Sequence, residues 1–547
     1  MNSLVVAAFG IIVLVFGYKF YGGMIEKLWN IDKNRKTPAH TKYDGVDYVP
    51  AKHWTILFGH HFSSIAGAGP IIGPVLACAY FGWLPALLWI LFGTIFIGGV
   101  HDFSSLIISV RNEGKSIADI AESIMGKRTK IIFSIFLFLA LILIIAVFAA
   151  STAQTLVSEP KIVIPTFGLI FVAVLIGYMI YVWKKNYVLS TLIGLMLLIL
   201  LLVFGNYFPV KLDDIEIWIT VLLIYCFIAS VLPVNLLLQP RDYLSAYLLF
   251  WGMLFGYLGL ILSHPTINAP ALCGFNSSIG DLWPMMFVFI ACGAVSGFHA
   301  LISSGTTSKQ ISNEGDAKKI GYGAMVTEGA LAILALLSVC AGLYWNEGSG
   351  PSLLIYPELI KSGDYIGTFA VGYGEITKIL FGSSFGKLIA MLVLNAFVMT
   401  TLDTATRITR YLATELFGDS FGMKIFKNKY FSTFVVIILS GLLAFSDWKK
   451  IWPIFGAANQ LIAAIVLIVI SVILLTLKKP TGYTFYPAVF MLITTVSAII
   501  YQTIQFFSKG NYLLVFIGIV LLILALIIVI ESVSVFRRYK NAAKIET

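Results

Sequence analysis

Charge is what this chain has least of. Only 12% of its 547 residues are Asp, Glu, Lys or Arg, about half the share of a soluble domain. Hydrophobic residues make up 59%, where a soluble domain carries about 45–50%. That balance excludes an ordinary soluble enzyme and a disordered chain. Cysteine is also scarce. The five (Cys78, Cys226, Cys273, Cys292, Cys340) form no CxxC pair and four lie in apolar runs, which excludes a disulfide framework and zinc spacing. There is no HExxH motif, and no Ser–His pair follows a G-x-S-x-G elbow, so no enzyme activity is expected. Lysine is missing from the middle of every apolar run. No basic stretch precedes the first run at 4–18, which therefore reads as a retained span and not a cleaved signal.

What is present is a succession of apolar runs of the length that crosses a bilayer, about 20 residues each. They fall at 3–21, 54–79, 83–110, 131–157, 162–183, 187–205, 216–239, 243–262, 284–306, 322–345, 386–412, 431–446, 452–477, 484–507 and 511–534. This is an all-α polytopic membrane protein with fifteen expected spans. The segments 267–280 and 347–375, rich in Gly, Pro, Ser and Asn, read as loops. Alternating the connections places 29 of the 37 Lys and Arg on one side and eight on the other. By the positive-inside rule the N-terminus is outside and the C-terminus cytoplasmic, in a bacterial-type inner membrane. The net charge of +10 is thus an orientation signal, and no nucleic-acid partner is expected.

Two runs make poor continuous helices. The second contains Gly67, Gly69 and Pro70 at mid-membrane, after His60, His61, Ser63 and Ser64. The seventh contains Pro233 and Asn235, then Pro240, Arg241 and Asp242. Glycine costs about 1 kcal/mol and proline about 3 kcal/mol inside a helix, and backbone freed at membrane depth must face protein or a watery cavity. Five spans run from each break to the next boundary. Five is odd, so the second set enters from the opposite side. The chain then divides into an N-terminal span and basic loop (1–53), a first five-helix repeat (54–205), a second (216–413), and four C-terminal spans with a basic tail (431–547). The binding site is expected where the two broken leaders cross. This five-plus-five inverted repeat resembles the leucine-transporter (LeuT) fold of the amino acid–polyamine–cation (APC) superfamily.

Ionisable groups at membrane depth usually mark function. Here they are His60, His61, His101, Asp102, His299, Glu328 and Asp403, with Arg407 toward the inner end. His60 and His61 point about 100° apart on a helix, so one reads substrate while the other bonds a neighbouring helix. With Ser63, Ser64, Gly67, Ala68, Gly69, Pro233, Asn235 and His299 they are the candidate substrate-binding residues. His61, Asp102 and His299 are candidates for carrying a coupling proton; Asp102 reads equally as a partner for inner arginines. Arg241, Asp242, Asp403 and Arg407 are candidates for an inner gate, with Asp403 and Arg407 pairing locally at i,i+4. Ser303, Ser304 and Thr306 offer hydroxyl oxygens for a sodium ion as alternative coupling ion; a helix end that caps itself is the leading reading of the same residues. No other cofactor is expected.

Six blocks carry a family resemblance: 58–77 (FGHHFSSIAGAGPIIGPVLA), 231–244 (VLPVNLLLQPRDYL), 291–309 (ACGAVSGFHALISSGTTSK), 320–325 (IGYGAM), 402–407 (LDTATR) and 452–464 (WPIFGAANQLIAA). In these the chain resembles the carbon starvation protein A (CstA) family. The resemblance implies an inner-membrane secondary transporter tied to nutrient limitation, a pyruvate–proton symporter or a peptide-uptake protein. Two half-helix N-termini can hold a small carboxylate without a buried lysine or arginine, which ranks pyruvate ahead of peptide. A haem or redox subunit using the histidines, a membrane enzyme and a channel are the competing classes. A channel gives no reason for two broken leaders. Oligomeric state is not legible.

Overall fold

In hydrocarbon every backbone N–H and C=O must be bonded within the chain, so long apolar runs fold as helices. The computed structural model describes residues 1–348, 350–446 and 448–545. In chain order the helices begin with α1 (Ser3–Trp29). Next come α2 (Trp54–Ile65) and α3 (Gly69–Phe81), two halves bent by 43° across a break. Then follow α4 (Trp83–Arg111), α5 (Lys127–Ser158), α6 (Pro160–Val182) and α7 (Tyr187–Tyr207). α8 (Ile215–Val231) and α9 (Leu238–Ser263) come next. α10 (Leu282–Phe289) and α11 (Gly297–Gly305) are separated by a non-helical stretch. The remainder are α12 (Gly323–Gly342), α13 (Tyr365–Phe381), α14 (Ser383–Ala413), α15 (Lys429–Ala444), α16 (Trp448–Thr476), α17 (Gly482–Ser508) and α18 (Tyr512–Ile545). Among the described residues the only β-ladder is a two-residue hairpin, Asn276–Ser277 against Gly280–Asp281.

Among the described residues eleven helices are long and apolar enough to cross a membrane, and the α2–α3 pair makes a twelfth. α8 and α15 are apolar but shorter, with 17 and 16 residues. The α10–α11 pair occupies the run expected as one continuous span at 284–306. Of the basic tail beyond 537 only the backbone is described, and residues 546–547 lie outside the described residues.

Three expectations need correction. The second break is not in the seventh run. α8 ends at Val231, and Pro233 sits in a six-residue connection before α9, where its missing N–H costs no helical hydrogen bond. The break is in the ninth run, at 290–296, which has no proline. The second repeat expected at 216–413 therefore does not open on a broken helix. Finally, 347–375 is not loop throughout. It holds a short helix (Tyr356–Lys361) and most of α13, whose first turn is capped by Asp364 accepting the Gly367 N–H at 2.9 Å. Glycine there serves packing: a Cβ on Gly372 would lie 2.4 Å from the Ser338 carbonyl oxygen.

The centre is built on α5 and α14, which pack along one another and are mostly buried. α8 lies against both, as does α15. α9 packs along α2 and on α14; α16 packs on α11 and α5. The α6–α7 hairpin lies against α9, α1 against α12, and α17 and α18 against α16. The outer helices expose apolar faces, for example Leu192, Met196, Ile199 and Val203 of α7, as a chain solvated by lipid requires.

The fit of α11 on α16 is tight enough to test. A Cβ on Gly297 would lie 2.3 Å from Ile462 Cβ and 2.4 Å from the Asn459 backbone oxygen. Gly297→Ala should lower the thermal midpoint of the detergent-purified protein, at a cost of about 1–3 kcal/mol for overpacking. Gly23→Ala meets nothing nearer than Lys318 Nζ at 3.7 Å and should stabilise by up to about 1 kcal/mol. Equal midpoints for the two variants would refute the contact.

Candidate functional site

The two breaks lie against each other. A Cβ on Gly69 would meet Cys292 Cβ at 2.5 Å, and one on Gly293 would lie 3.4 Å from Pro70 Cα. Glycine is what lets the two backbones approach. At the first break α2 stops at Ile65, because Gly67, Gly69 and Pro70 disfavour helix in one stretch. Its last turn leaves carbonyls unpaired, and hydroxyls of α14 reach them. Thr400 Oγ1 donates to the Ser63 carbonyl at 2.6 Å, and Thr401 Oγ1 to that of Ser64 at 3.0 Å. The Ala68 carbonyl accepts from the N–H groups of Ile71 and Ile72, opening α3.

At the second break the partners come from α4 and α16. Trp89 Nε1 donates to the Ile290 carbonyl and Thr94 Oγ1 to that of Gly293, each at 3.2 Å. Asn459 Oδ1 accepts the Phe298 N–H at 2.8 Å, while its Nδ2 donates to Ser296 Oγ at 2.9 Å. No sequence reading singled out Asn459 for a role. The signal was an Asn-Gln pair in the otherwise apolar run 452–464.

The two adjacent histidines do separate. His60 Nδ1 lies 2.6 Å from Asp242 Oδ2, and Gln310 Nε2 donates to His60 Nε2 at 3.2 Å. Both ring nitrogens are thus engaged, and His60 ties α2 to α9. His61 Nδ1 lies 2.8 Å from Thr307 Oγ1, and its Nε2 has no partner. Of the two, His61 keeps bonding capacity. Ser63 Oγ donates to the Asp242 carbonyl at 2.8 Å and Ser64 Oγ to Asp242 Oδ2 at 3.3 Å. Asp102 pairs with no arginine. Its two carboxylate oxygens take His101 Nδ1 at 2.7 Å and His299 Nδ1 at 2.8 Å. On its far side His299 Nε2 is 3.4 Å from Glu328 Oε2. His61, His101, Asp102, His299 and Glu328 are all fully buried.

Pro233 and Asn235 are not in this group. They lie in the α8–α9 connection, where the Val234 N–H donates to the Val46 carbonyl. Nor do Asp403 and Arg407 pair with each other. Asp403 binds Arg241 of α9, at 3.0 Å through Nη2, and accepts the Tyr225 hydroxyl of α8 at 2.6 Å. Arg241 Nη2 is also 2.5 Å from Asp242 Oδ1. Arg407 donates to Asp47 at 2.8 Å and to the Ala229 carbonyl at 2.7 Å. Partners on other helices outcompete the neighbour one turn away. The hydroxyls of Ser304 and Thr306 donate back to the Ala300 and Ile302 carbonyls, and Ser303 Oγ donates to the Asp102 carbonyl at 3.4 Å.

Asp47 belongs to a strap, residues 44–52, that crosses this end of the bundle. Asp44 Oδ1 accepts the N–H groups of Val46, Asp47 and Tyr48. Asp47 accepts from Arg407 and, at 2.5 Å, from the Tyr411 hydroxyl, and the Ala51 N–H donates to the Gln310 carbonyl at 2.9 Å. Lys309 stacks on the Tyr411 ring. Burial by itself would push the Asp47 carboxyl up. Arg407, Arg410, the Tyr411 hydroxyl and Lys309 outweigh it and hold the group below its ordinary 3.8. A carboxyl depressed on folding stabilises above its unfolded value and loses that contribution as pH falls through the folded value. Asp47→Asn should therefore cost about 2 kcal/mol at neutral pH, read as a lower thermal midpoint. The difference should shrink below about pH 4. A gap that stays constant from pH 7 to pH 3 would show that the Asp47 charge contributes nothing.

With this geometry in place, comparison with known proteins is informative. The sequence profile described as "Carbon starvation protein CstA" matches residues 2–351 and 357–498. The peptide transporter CstA of Campylobacter jejuni is 35% identical, over 93% of this chain and 81% of that protein. The pyruvate/proton symporter BtsT of Escherichia coli is 34% identical, over 91% and 81%. The peptide transporter CstA of Escherichia coli is 33% identical, over 91% and 81%. Among solved structures, the manganese transporter of Eremococcus coleocola superposes with a TM-score of 0.53 at 10% identity, over 91% of this chain and 99% of that one. That likeness shows a shared fold and nothing of substrate, and none of these names supports the wider APC assignment. The match across both breaks and nearly the whole chain places the protein in the carbon starvation protein CstA family.

Proposed function

We propose that the chain is a secondary active transporter that takes up a small carboxylate, pyruvate or a close analogue, together with protons. The observation that carries this is the contact of the two breaks. α3 and α11 both start there, so two helix N-termini, each the positive end of its helix dipole, meet beside buried histidines. That arrangement suits a carboxylate and needs no lysine. The 34% identity to a pyruvate/proton symporter supports the same substrate. Peptide uptake is the second reading, favoured by the names of other relatives at similar identity. Transport, and not catalysis, is what the site chemistry supports.

For the core we infer an inverted repeat of five plus five helices, counted differently from the sequence expectation. The first set is α2–α3, α4, α5, α8 and α9; the second is α10–α11, α12, α14, α15 and α16. The packing is matched. The third helices, α5 and α14, pair at the centre; each fourth helix lies on the other set's third; each fifth lies on its own leader and on the other set's third. On this count α6–α7 is an inserted hairpin, α1 precedes the core, and α17 and α18 follow it. Six spans, an even number, lie between the two leaders, so the second enters from the opposite side, as inversion requires. The basic strap end is cytoplasmic, the N-terminus outside and the C-terminus inside, in a bacterial-type inner membrane. The Arg241–Asp403 and Arg407–Asp47 pairs then form the inner gate, and rocking of the leaders gives alternating access.

His61, Asp102 and His299 carry the coupling proton on this reading, and the Nε2 of His61 has no partner of its own. Sodium stands second: Ser303, Ser304 and Thr306 already donate their protons to carbonyls, although their oxygens keep lone pairs for a cation. Labelled pyruvate uptake into proteoliposomes tests these choices. An inward proton gradient should drive accumulation without sodium, and His61→Ala should flatten its pH profile. Dipeptide uptake without pyruvate uptake would replace the substrate, and accumulation only with a sodium gradient would replace the ion.

A further inference from the structure

We infer that Glu328, with His299, is the proton-loading site of the transporter; this deepens the proton-coupled reading above and rests on it. Glu328 lies on α12, one residue before Gly329, where a Cβ would meet Thr94 Oγ1 at 2.8 Å. Thr94 is the residue that bonds the Gly293 carbonyl in the second break. The carboxyl is therefore level with the break. It is fully buried, and neither oxygen has a hydrogen-bond partner among the described groups. A bare carboxylate without partners is too costly at that depth, so the group rests as the neutral acid.

What faces it is a base. His299 Nδ1 is held by Asp102 Oδ2 at 2.8 Å. With Asp102 anionic, Nδ1 carries the ring proton and donates it, which leaves Nε2 with a bare lone pair. That nitrogen is 3.4 Å from Glu328 Oε2 and has no aligned hydrogen bond. An acid and a base thus stand one small side-chain rotation apart. In the transfer the O–H bond of Glu328 breaks and an N–H bond forms at His299 Nε2. The bond's electron pair stays on the carboxylate, and the new imidazolium lies between two carboxylates, those of Glu328 and Asp102. The reverse step reloads Glu328. Each unit of transfer moves one proton between the α12 and α11 sides of the break.

The groups around Glu328 limit the alternatives. From α4 it faces Asp102, which is bonded in turn to His101. From the break it faces Cys292, and from α11 His299. His61 of α2 faces Asp102 and His299. Tyr257 of α9 bonds the Ala330 carbonyl, and Tyr373 of α13 bonds the Gly252 carbonyl. Cys78 of α3 lies beside Cys340, three turns of α12 away from Glu328. Tyr18 of α1 packs on Tyr322. No lysine or arginine among these groups neutralises Glu328, so a proton is what must do so.

The test uses the full chain in proteoliposomes with labelled pyruvate, and a labelled dipeptide as second probe. Glu328→Gln keeps the shape but cannot yield a proton. It should lower gradient-driven accumulation by about tenfold or more, while exchange of labelled for unlabelled substrate without a gradient continues. Glu328→Asp should restore accumulation with a displaced pH profile. Infrared spectra of the purified protein should show a protonated carboxylic acid band that Glu328→Gln removes. Wild-type accumulation in Glu328→Gln overturns the assignment, as does a carboxylic acid band that survives the substitution. Loss of dipeptide binding with pyruvate accumulation intact also overturns it, making Glu328 a counter-charge for an amino group. If the wild-type protein itself ignores a proton gradient, the coupling reading fails before Glu328 is at issue.

Discussion

Backbone unwound at membrane depth has no water to bond, and this chain answers that constraint with protein. Thr400 and Thr401 take the carbonyls at the end of α2, Trp89 and Thr94 those of 290–296, and Asn459 the Phe298 amide in the first turn of α11. Three helices outside the two leaders, α4, α14 and α16, are committed to holding two short irregular stretches open. The arrangement is costly unless those stretches do something, because an unbroken helix satisfies its own backbone at no expense to its neighbours. The glycines that allow the stretches to touch, Gly69 and Gly293, complete a site with two helix starts and several buried imidazoles.

Around this centre the charged residues divide into two kinds. One kind bridges helices near the basic end: Arg241 with Asp242 and Asp403, and Arg407 with Asp47 of the strap. These pairs are well bonded, and the proposed rocking of the leaders would have to separate them to open that side. The other kind, His61, His299 and Glu328, is under-bonded. Free ring nitrogens and an unpartnered carboxyl persist there in complete burial. Well-satisfied groups lock; unsatisfied ones are available to a proton or a substrate.

The first break was legible because three helix-breaking residues fall within four positions of an apolar run. The second was misplaced for a physical reason. Pro233 is the stronger local breaker, but α8 is only 17 residues long and ends before it, so the proline falls in a connection. The true break at 290–296 contains no proline. It exists because side chains from α4 and α16 supply the hydrogen bonds that the helix gives up, and those partners are about 200 and 160 residues away in sequence. The i,i+4 pairing expected of Asp403 and Arg407 failed in the same way: each found a better-placed partner on another element.

By itself the sequence determined the solvent, the helices and the orientation signal. Hydrophobic length and scarce charge leave a helical membrane protein as the outcome, and uneven Lys and Arg mark one face. It also determined the cast of buried polar residues, since few ionisable groups lie far enough from any loop to be anything else. Which of them meet was decided by the tertiary structure. His60 is spent on Asp242 and Gln310 while His61 is not; Asp102 faces His299 and not an arginine; Glu328 is left with a histidine for company. Those outcomes follow from how α4, α9, α11 and α12 pack, and packing geometry is not written in the period or composition of any one helix.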